Sequence, residues 1–243
     1  PSAIELIGSM ILRQAKANLA YSRMTDFIDG DPEAILAIEL IAETNGELDS
    51  KFHRLEERIS RGGWGYSMIR MTKAADQQKV WDVRKAGLGL MMNVPGDAKP
   101  LPFVEDTAVS PEVLPEFVRR FDSIIKKHGT EAGYYGHASV GCLHIRPLIN
   151  PKTEVGINRM KAISEEISDL VLEFGGALSG EHGDGLVRSG YNEKMFGKQI
   201  YQAFKDVKKT FDPSTLMNPG KIVNSPPMTE NLRFGTAYNT KKT

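Results

Sequence analysis

Two short glycine-flanked stretches constrain this chain most. They are Gly136-His137-Ala138-Ser139-Val140-Gly141-Cys142-Leu143-His144 and Gly180-Glu181-His182-Gly183-Asp184-Gly185. Together they hold three of the five histidines. Glycine costs about 1 kcal/mol relative to alanine inside a helix, so neither stretch suits a long helix. It points to tight turns and to something bulky approaching the backbone closely. Imidazole and carboxylate suit a borderline divalent metal and proton transfer near neutral pH.

His137 and His144 are seven residues apart, and an odd spacing sends two side chains to opposite faces of a straight strand. One metal takes both only if the chain turns between them, and Ser139 to Gly141 can supply that turn. Two structural histidines explain the pair equally well. Glu181-His182 carries more information, because a buried carboxylate needs a partner or a metal. A solvated turn is its competing reading. Arg84 lies on an expected helix and could clamp a carboxylate with two parallel bonds, although a surface arginine is the simpler account. Lys99 and Arg146 are basic residues beside apolar strands, suited to an anionic ligand or to ordinary surface charge. Cys142 reads as a small strand residue rather than a nucleophile, since thiol reactivity needs an activating environment. Asn218-Pro219-Gly220-Lys221 reads as a turn.

Lys+Arg and Asp+Glu both number 31 in 243 residues, so the net charge is zero. That argues against a nucleic-acid binder, which shows a basic stripe or excess. No apolar run approaches the roughly 20 residues of a membrane span. A single cysteine excludes an internal disulfide and favours a reducing, cytoplasmic setting. The start at Pro1 suggests a piece of a longer protein, with simple methionine removal as the alternative.

Ser2 and Glu5 have capping-box spacing, and Ile4, Ile7, Ile11 and Ala15 share a helical face, so a first helix is expected. Strands are expected at 34–42, 64–71, 101–109, 131–137 and 142–149. Helices are expected at 44–61, 72–92, from Ser110-Pro111, at 153–174 and at 198–211. Residues 225–243 read as a linker or disordered tail. The phosphate-binding patterns Gly-x-Gly-x-x-Gly and Gly-x-x-x-x-Gly-Lys-Ser/Thr are absent. The expected class is α+β, with an antiparallel sheet covered by helices.

GHASVGCLH, SGEHGDG and FDPSTLMNPGK occur in this order. In them the chain resembles the C-terminal (cap) domain of FAD-linked oxidases of the D-lactate dehydrogenase, glycolate oxidase and D-2-hydroxyglutarate dehydrogenase group. The resemblance runs from Ala3 to about Val223. It implies a ferredoxin-like duplicated antiparallel sheet over residues 1–224. GLGLMMNVPGDAKPLPFVEDTAVSP and PPMTENLRFGTAY resemble longer members, in which an iron–sulfur domain follows, so a 4Fe-4S cluster in the parent protein is implied. FAD would be held mainly by an N-terminal domain outside this chain.

The resemblance also implies residue roles. His137, His144 and Glu181 would hold a divalent metal (Zn, Mn or Fe), and His182 would be the base. Asn218 would lie near the flavin, and Arg84, with Lys99, would bind a substrate carboxylate. The implied function is FAD-dependent dehydrogenation of a small D-2-hydroxy acid, with hydride passing from Cα to flavin and this chain inactive alone. Ser139, Val140 and Cys142 replace Gly, Asp and Asn of many relatives. Arg146 replaces a small polar residue, which would suit a more acidic substrate. The implied location is cytoplasmic, with peripheral membrane association as a variant. Competing readings are a relative acting on an alkyl-glycerone-phosphate or a phenol, and a non-catalytic binding module with structural histidines.

Overall fold

A computed structural model describes residues 1–238. Its first elements are β1 (Ala3–Gly8), α1 (Ser9–Ala17), β2 (Ala34–Glu39), α2 (Asn45–Gly62), α3 (Ala74–Met92), β3 (Lys99–Pro100) and β4 (Thr107–Ala108). Then come α4 (Leu114–Lys127), β5 (Ala132–His137), β6 (Cys142–Ile149), α5 (Glu154–Glu173), α6 (Gly185–Arg188) and α7 (Asn192–Phe211). The registered strand pairings are antiparallel and long helices accompany them, so the class is α+β. The chain forms two compact units. One is Pro1–Val94 with Tyr134–Ser139, and the other is Pro95–Gly133 with the described chain from Val140 onward.

In the first unit β1 pairs with β2, Ile7 opposite Ile35, and with β5, Glu5 opposite His137. The helix expected from Ser2 is therefore corrected: Ala3–Gly8 is a strand, and helix begins only at Ser9. A six-residue apolar run carries too few positions to separate a period of two from one of 3.6. Pairing with the β-branched 34–39 segment decides for strand. Ser2 Oγ donates to Glu39 instead of capping a helix. Gly8 ends the strand where a Cβ would come 2.7 Å from the Tyr134 carbonyl oxygen. Ile11 and Ala15 do face the core from α1. Thr44 caps α2 as expected, its Oγ1 accepting from the Glu47 N–H at 3.2 Å. Residues 64–71, expected as a strand, have no regular structure, and Trp64, Tyr66, Met68 and Ile69 are exposed. Strand propensity without an adjacent strand does not make one.

In the second unit the buried strand β6 pairs with β3 and β4, with Thr107 opposite Leu143. Of the expected strand at 101–109 only β4 forms, and β3 lies just before it. Pro100 and Pro102 lack N–H donors, and Asp106 takes a φ of 76° that breaks extension. Phe117, Phe121 and Ile125 of α4 and Met160, Ile163, Ile167 and Val171 of α5 form the core. Thr153 caps α5 by accepting from the Gly156 N–H at 3.1 Å. Helix α7 starts earlier than expected and kinks at Gly197, whose φ is 77°. Residues 225–238 are turns, bends and coil, and the remainder of the expected tail, 239–243, lies outside the described residues.

Candidate metal and catalytic site

Strand β6 carries Cys142, His144 and Arg146 on one face, as alternation requires. The strand is launched by Gly141, whose φ is 72° and whose Cβ, if present, would sit 1.8 Å from the Val109 carbonyl oxygen. Only glycine fits there. The loop 179–184 lies against this face. A Cβ at Gly180 would come 3.0 Å from Cys142 Sγ and 3.1 Å from the Ala108 Cβ. Glycine in the second motif thus serves close approach, as its composition suggested.

Asp106 fixes that loop, and sequence reasoning did not single it out. It is fully buried. Its carboxylate accepts from Ser179 Oγ at 2.8 Å, the Glu181 N–H at 3.0 Å and the His182 N–H at 2.9 Å. Its carbonyl accepts from the Gly180 N–H at 2.7 Å. Burial alone would raise the Asp106 carboxyl. The hydrogen bonds from His182, Ser179 and Glu181 outweigh burial and hold it below the ordinary carboxylate range. The available signal was a Glu105-Asp106 pair directly after the apolar Phe103-Val104.

Anchored in this way, the loop sets Glu181 and His182 beside His144. Glu181 Oε1 lies 3.0 Å from His144 Nε2 and 3.3 Å from His182 Nε2. The two imidazoles stack, with centroids 4.8 Å apart and planes 2° from parallel. One ligand atom from each of Asp106, His144, Glu181 and His182 falls within 4.8 Å of the others. The Asp106 oxygens are occupied by hydrogen bonds, which leaves His144, Glu181 and His182 as the donors. Metal–ligand bonds of about 2.0–2.1 Å in a tetrahedron separate neighbouring donors by about 3.3–3.4 Å. The Glu181 separations are close to that, and N/N/O is a normal donor set for such an ion. His144 is buried, whereas the side chains of His182 and Glu181 are 44% and 42% exposed and accessible to a ligand.

Around these donors, Arg146 Nη2 is 2.5 Å from Glu105 Oε2, and both side chains are buried. Glu105 Oε1 is 3.4 Å from His182 Nδ1. The buried Arg188 donates to the carbonyls of Pro102 and Glu105, each at 3.3 Å, and of Gly183 at 2.6 Å. Cys142 is buried with its Sγ 3.6 Å from Asp106 Oδ1. Burial first, then the charges of Asp106 and Glu181, push its thiol up to about 12. It is no nucleophile at neutral pH. Lys99 lies in β3. Asn218 has a φ of 46° and accepts from Lys221 Nζ at 3.4 Å. It lines a groove of about 590 Å³ with Phe204, Phe211 and Met217.

The first unit has its own charged cluster. His137 Nδ1 is 2.7 Å from Glu5 Oε1. Arg84 donates from Nε at 2.9 Å to Glu5 Oε2, with Nη2 at 2.8 Å from the same oxygen. The Arg84 guanidinium also sits 4.9 Å from the Tyr135 ring centroid. Of the residues singled out from sequence, His144, Glu181, His182 and Arg146 thus gather in the second unit, whereas His137 and Arg84 meet through Glu5 in the first.

Antiparallel strands with long helices, and a loop presenting Glu-His beside a strand histidine, define a recognisable class. The chain belongs to the family of FAD linked oxidases, C-terminal domain, which it matches over residues 1–222. It is 35% identical to D-2-hydroxyglutarate dehydrogenase of Pseudomonas putida over 230 residues, covering 91% of this chain and 22% of that protein. It is 32% identical to D-lactate dehydrogenase of Archaeoglobus fulgidus over 174 residues, covering 71% of this chain and 37% of that one. The chain therefore spans only a minor part of the curated relatives that it matches. Among solved structures, 4-ethylphenol oxidase from Gulosibacter chungangensis, in complex with isoeugenol, shares the fold with a TM-score of 0.57 at 13% identity. That match covers 92% of this chain and 48% of the other. No helix among the described residues is long and apolar enough to cross a membrane.

Proposed function

We propose that the chain is the substrate- and metal-binding part of an FAD-dependent D-2-hydroxy acid dehydrogenase. The observation that carries this is the convergence of His144, Glu181 and His182 on one small region. The names of the relatives support the substrate class. Of the three candidate donors, His144 and Glu181 would hold a divalent cation, with Zn, Mn and Fe all compatible, and His182 would stay unligated as the base. A bound cation supplies Lewis acidity toward hydroxyl and carboxylate oxygens, and FAD supplies the two-electron acceptor. His182 takes the hydroxyl proton at Nε2, a role for which an accessible imidazole is suited near neutral pH. Lys99 and Arg84 contribute positive charge toward an anionic substrate, whereas the charge of Arg146 is taken up by Glu105, and Asn218 is the cofactor contact. The reading calls for an FAD-binding domain, and for an iron–sulfur domain as electron outlet, elsewhere in a cytoplasmic parent protein.

The test is metal analysis of the purified chain after exposure to Zn, Mn or Fe(II), beside His144→Ala and Glu181→Ala. About one equivalent in the parent, lost in both variants, is the expected result. Adding the flavin-binding part and screening D-2-hydroxy acids follows. No stoichiometric metal even with that part present would overturn the metal assignment, and no turnover of any D-2-hydroxy acid would overturn the substrate class.

A further inference from the structure

We infer that Glu105 and Arg146 form a buried positioning pair that fixes the ring of His182, with Arg146 acting through Glu105 and not on substrate directly. Arg146 stands two residues beyond His144 on the same face of β6, and its side chain is 9% exposed. Its Nη2 lies 2.5 Å from Glu105 Oε2, while the other oxygen of that carboxylate lies 3.4 Å from His182 Nδ1. One buried carboxylate therefore bridges a guanidinium and an imidazole. With Nδ1 turned to Glu105, Nε2 is the nitrogen left on the side of Glu181, 3.3 Å away. Both ring nitrogens thus face a carboxylate, but the Glu105 side chain is 7% exposed against 42% for Glu181, and the desolvated acceptor is the stronger one and selects the tautomer.

Desolvation makes a buried ion pair a weak source of stability, since an apolar replacement often costs nothing. Its position beside a functional histidine calls for another account. Arg188 reinforces the arrangement by donating to the Glu105 carbonyl at 3.3 Å and to the Gly183 carbonyl at 2.6 Å, which ties the main chain of Glu105 to that of the residue after His182. The acidic pair then divides its labour. Asp106 holds the backbone of residues 181 and 182, and Glu105 holds the His182 ring.

The inference rests on His182 being the base, so its test includes a readout independent of that reading. Histidine-selective 15N NMR of the chain at about pH 8.5, where an ordinary imidazole is neutral, reports the tautomer, and His182→Ala assigns the signal. His182 is expected as a single tautomer protonated at Nδ1. Glu105→Gln, which keeps an oxygen acceptor, retains it. The double variant Glu105→Leu with Arg146→Met strands neither charge, so it avoids the destabilisation that a single charge deletion brings. It is expected to mix the tautomers. In the assembled enzyme the double variant is expected to lower kcat about 10- to 100-fold, the usual effect of removing such a supporting partner, with KM little changed. An unaltered tautomer in the double variant would overturn the inference. So would Arg146→Met raising KM about tenfold at unchanged kcat, which marks a direct substrate contact.

Discussion

At Asp106 a non-glycine residue holds a φ of 76°, a left-handed value that costs roughly 1–2 kcal/mol. The three hydrogen bonds to its carboxylate offset that cost and tie it to residues 73 to 76 positions away. That separation explains why the sequence did not reveal it: a buried carboxylate is suspicious, but nothing local names its partners. Asp106→Asn sets an amide NH2 against N–H donors. A loss of about 1–3 kcal/mol in urea unfolding is expected, the usual cost of stranding buried polar groups, with weakened metal uptake at Glu181. A variant as stable as the parent would show that the loop is held by other contacts. Cys142 offers a second check, because its thiol is pushed up to about 12 by burial and by the neighbouring carboxylates. Iodoacetamide at pH 8 is expected to leave it unmodified in the folded chain and to alkylate it rapidly in urea. Rapid labelling without urea would contradict the enclosed environment.

Among the elements, legibility followed the range of the interactions involved. Helices announced themselves because their caps and periodicity are local: Thr44 and Thr153 both accept from the N–H three residues on. Strands were less readable, since pairing depends on a distant partner. The Ala3–Gly8 run became a strand through the 34–39 segment, while the strand-like 64–71 run found no partner. Gly141 was legible as a turn residue, and the structure adds the reason that no other residue serves. Gly141→Ala meets both a positive φ and the Val109 carbonyl oxygen at 1.8 Å. Left-handed strain and overpacking together predict a loss of about 2–5 kcal/mol. Thermal unfolding measures it, and a shift no larger than that of Gly96→Ala, where φ is 88° but no atom lies within 4 Å, would show that the segment simply moves aside.

For the whole molecule, the ordered motifs revealed the family, but the division into two units was not visible, because β5 returns to the first unit after a long excursion through the second. The second unit's helices carry the last expectation, which concerns pH. The chain balances 31 basic against 31 acidic residues, so acid leaves it strongly positive and favours expansion. Carboxylates whose folded pKa is depressed add to this. Glu166 on α5 meets Lys127 at 2.9 Å and His128 at 2.8 Å, at the end of α4. Burial opposes its ionisation, but hydrogen bonds from Lys127 and His128 prevail and hold it below 4.5. A depressed carboxylate stabilises fully above its unfolded pKa, and that contribution is lost as pH falls through the folded value, because the unfolded chain binds the proton first. Urea midpoints are therefore expected to decline from about pH 4.5 downward. Glu166→Gln should be less stable than the parent at neutral pH, with the gap closing in that acidic window. A gap that stays constant with pH would mean that the charge of Glu166 contributes nothing to the packing of α4 on α5.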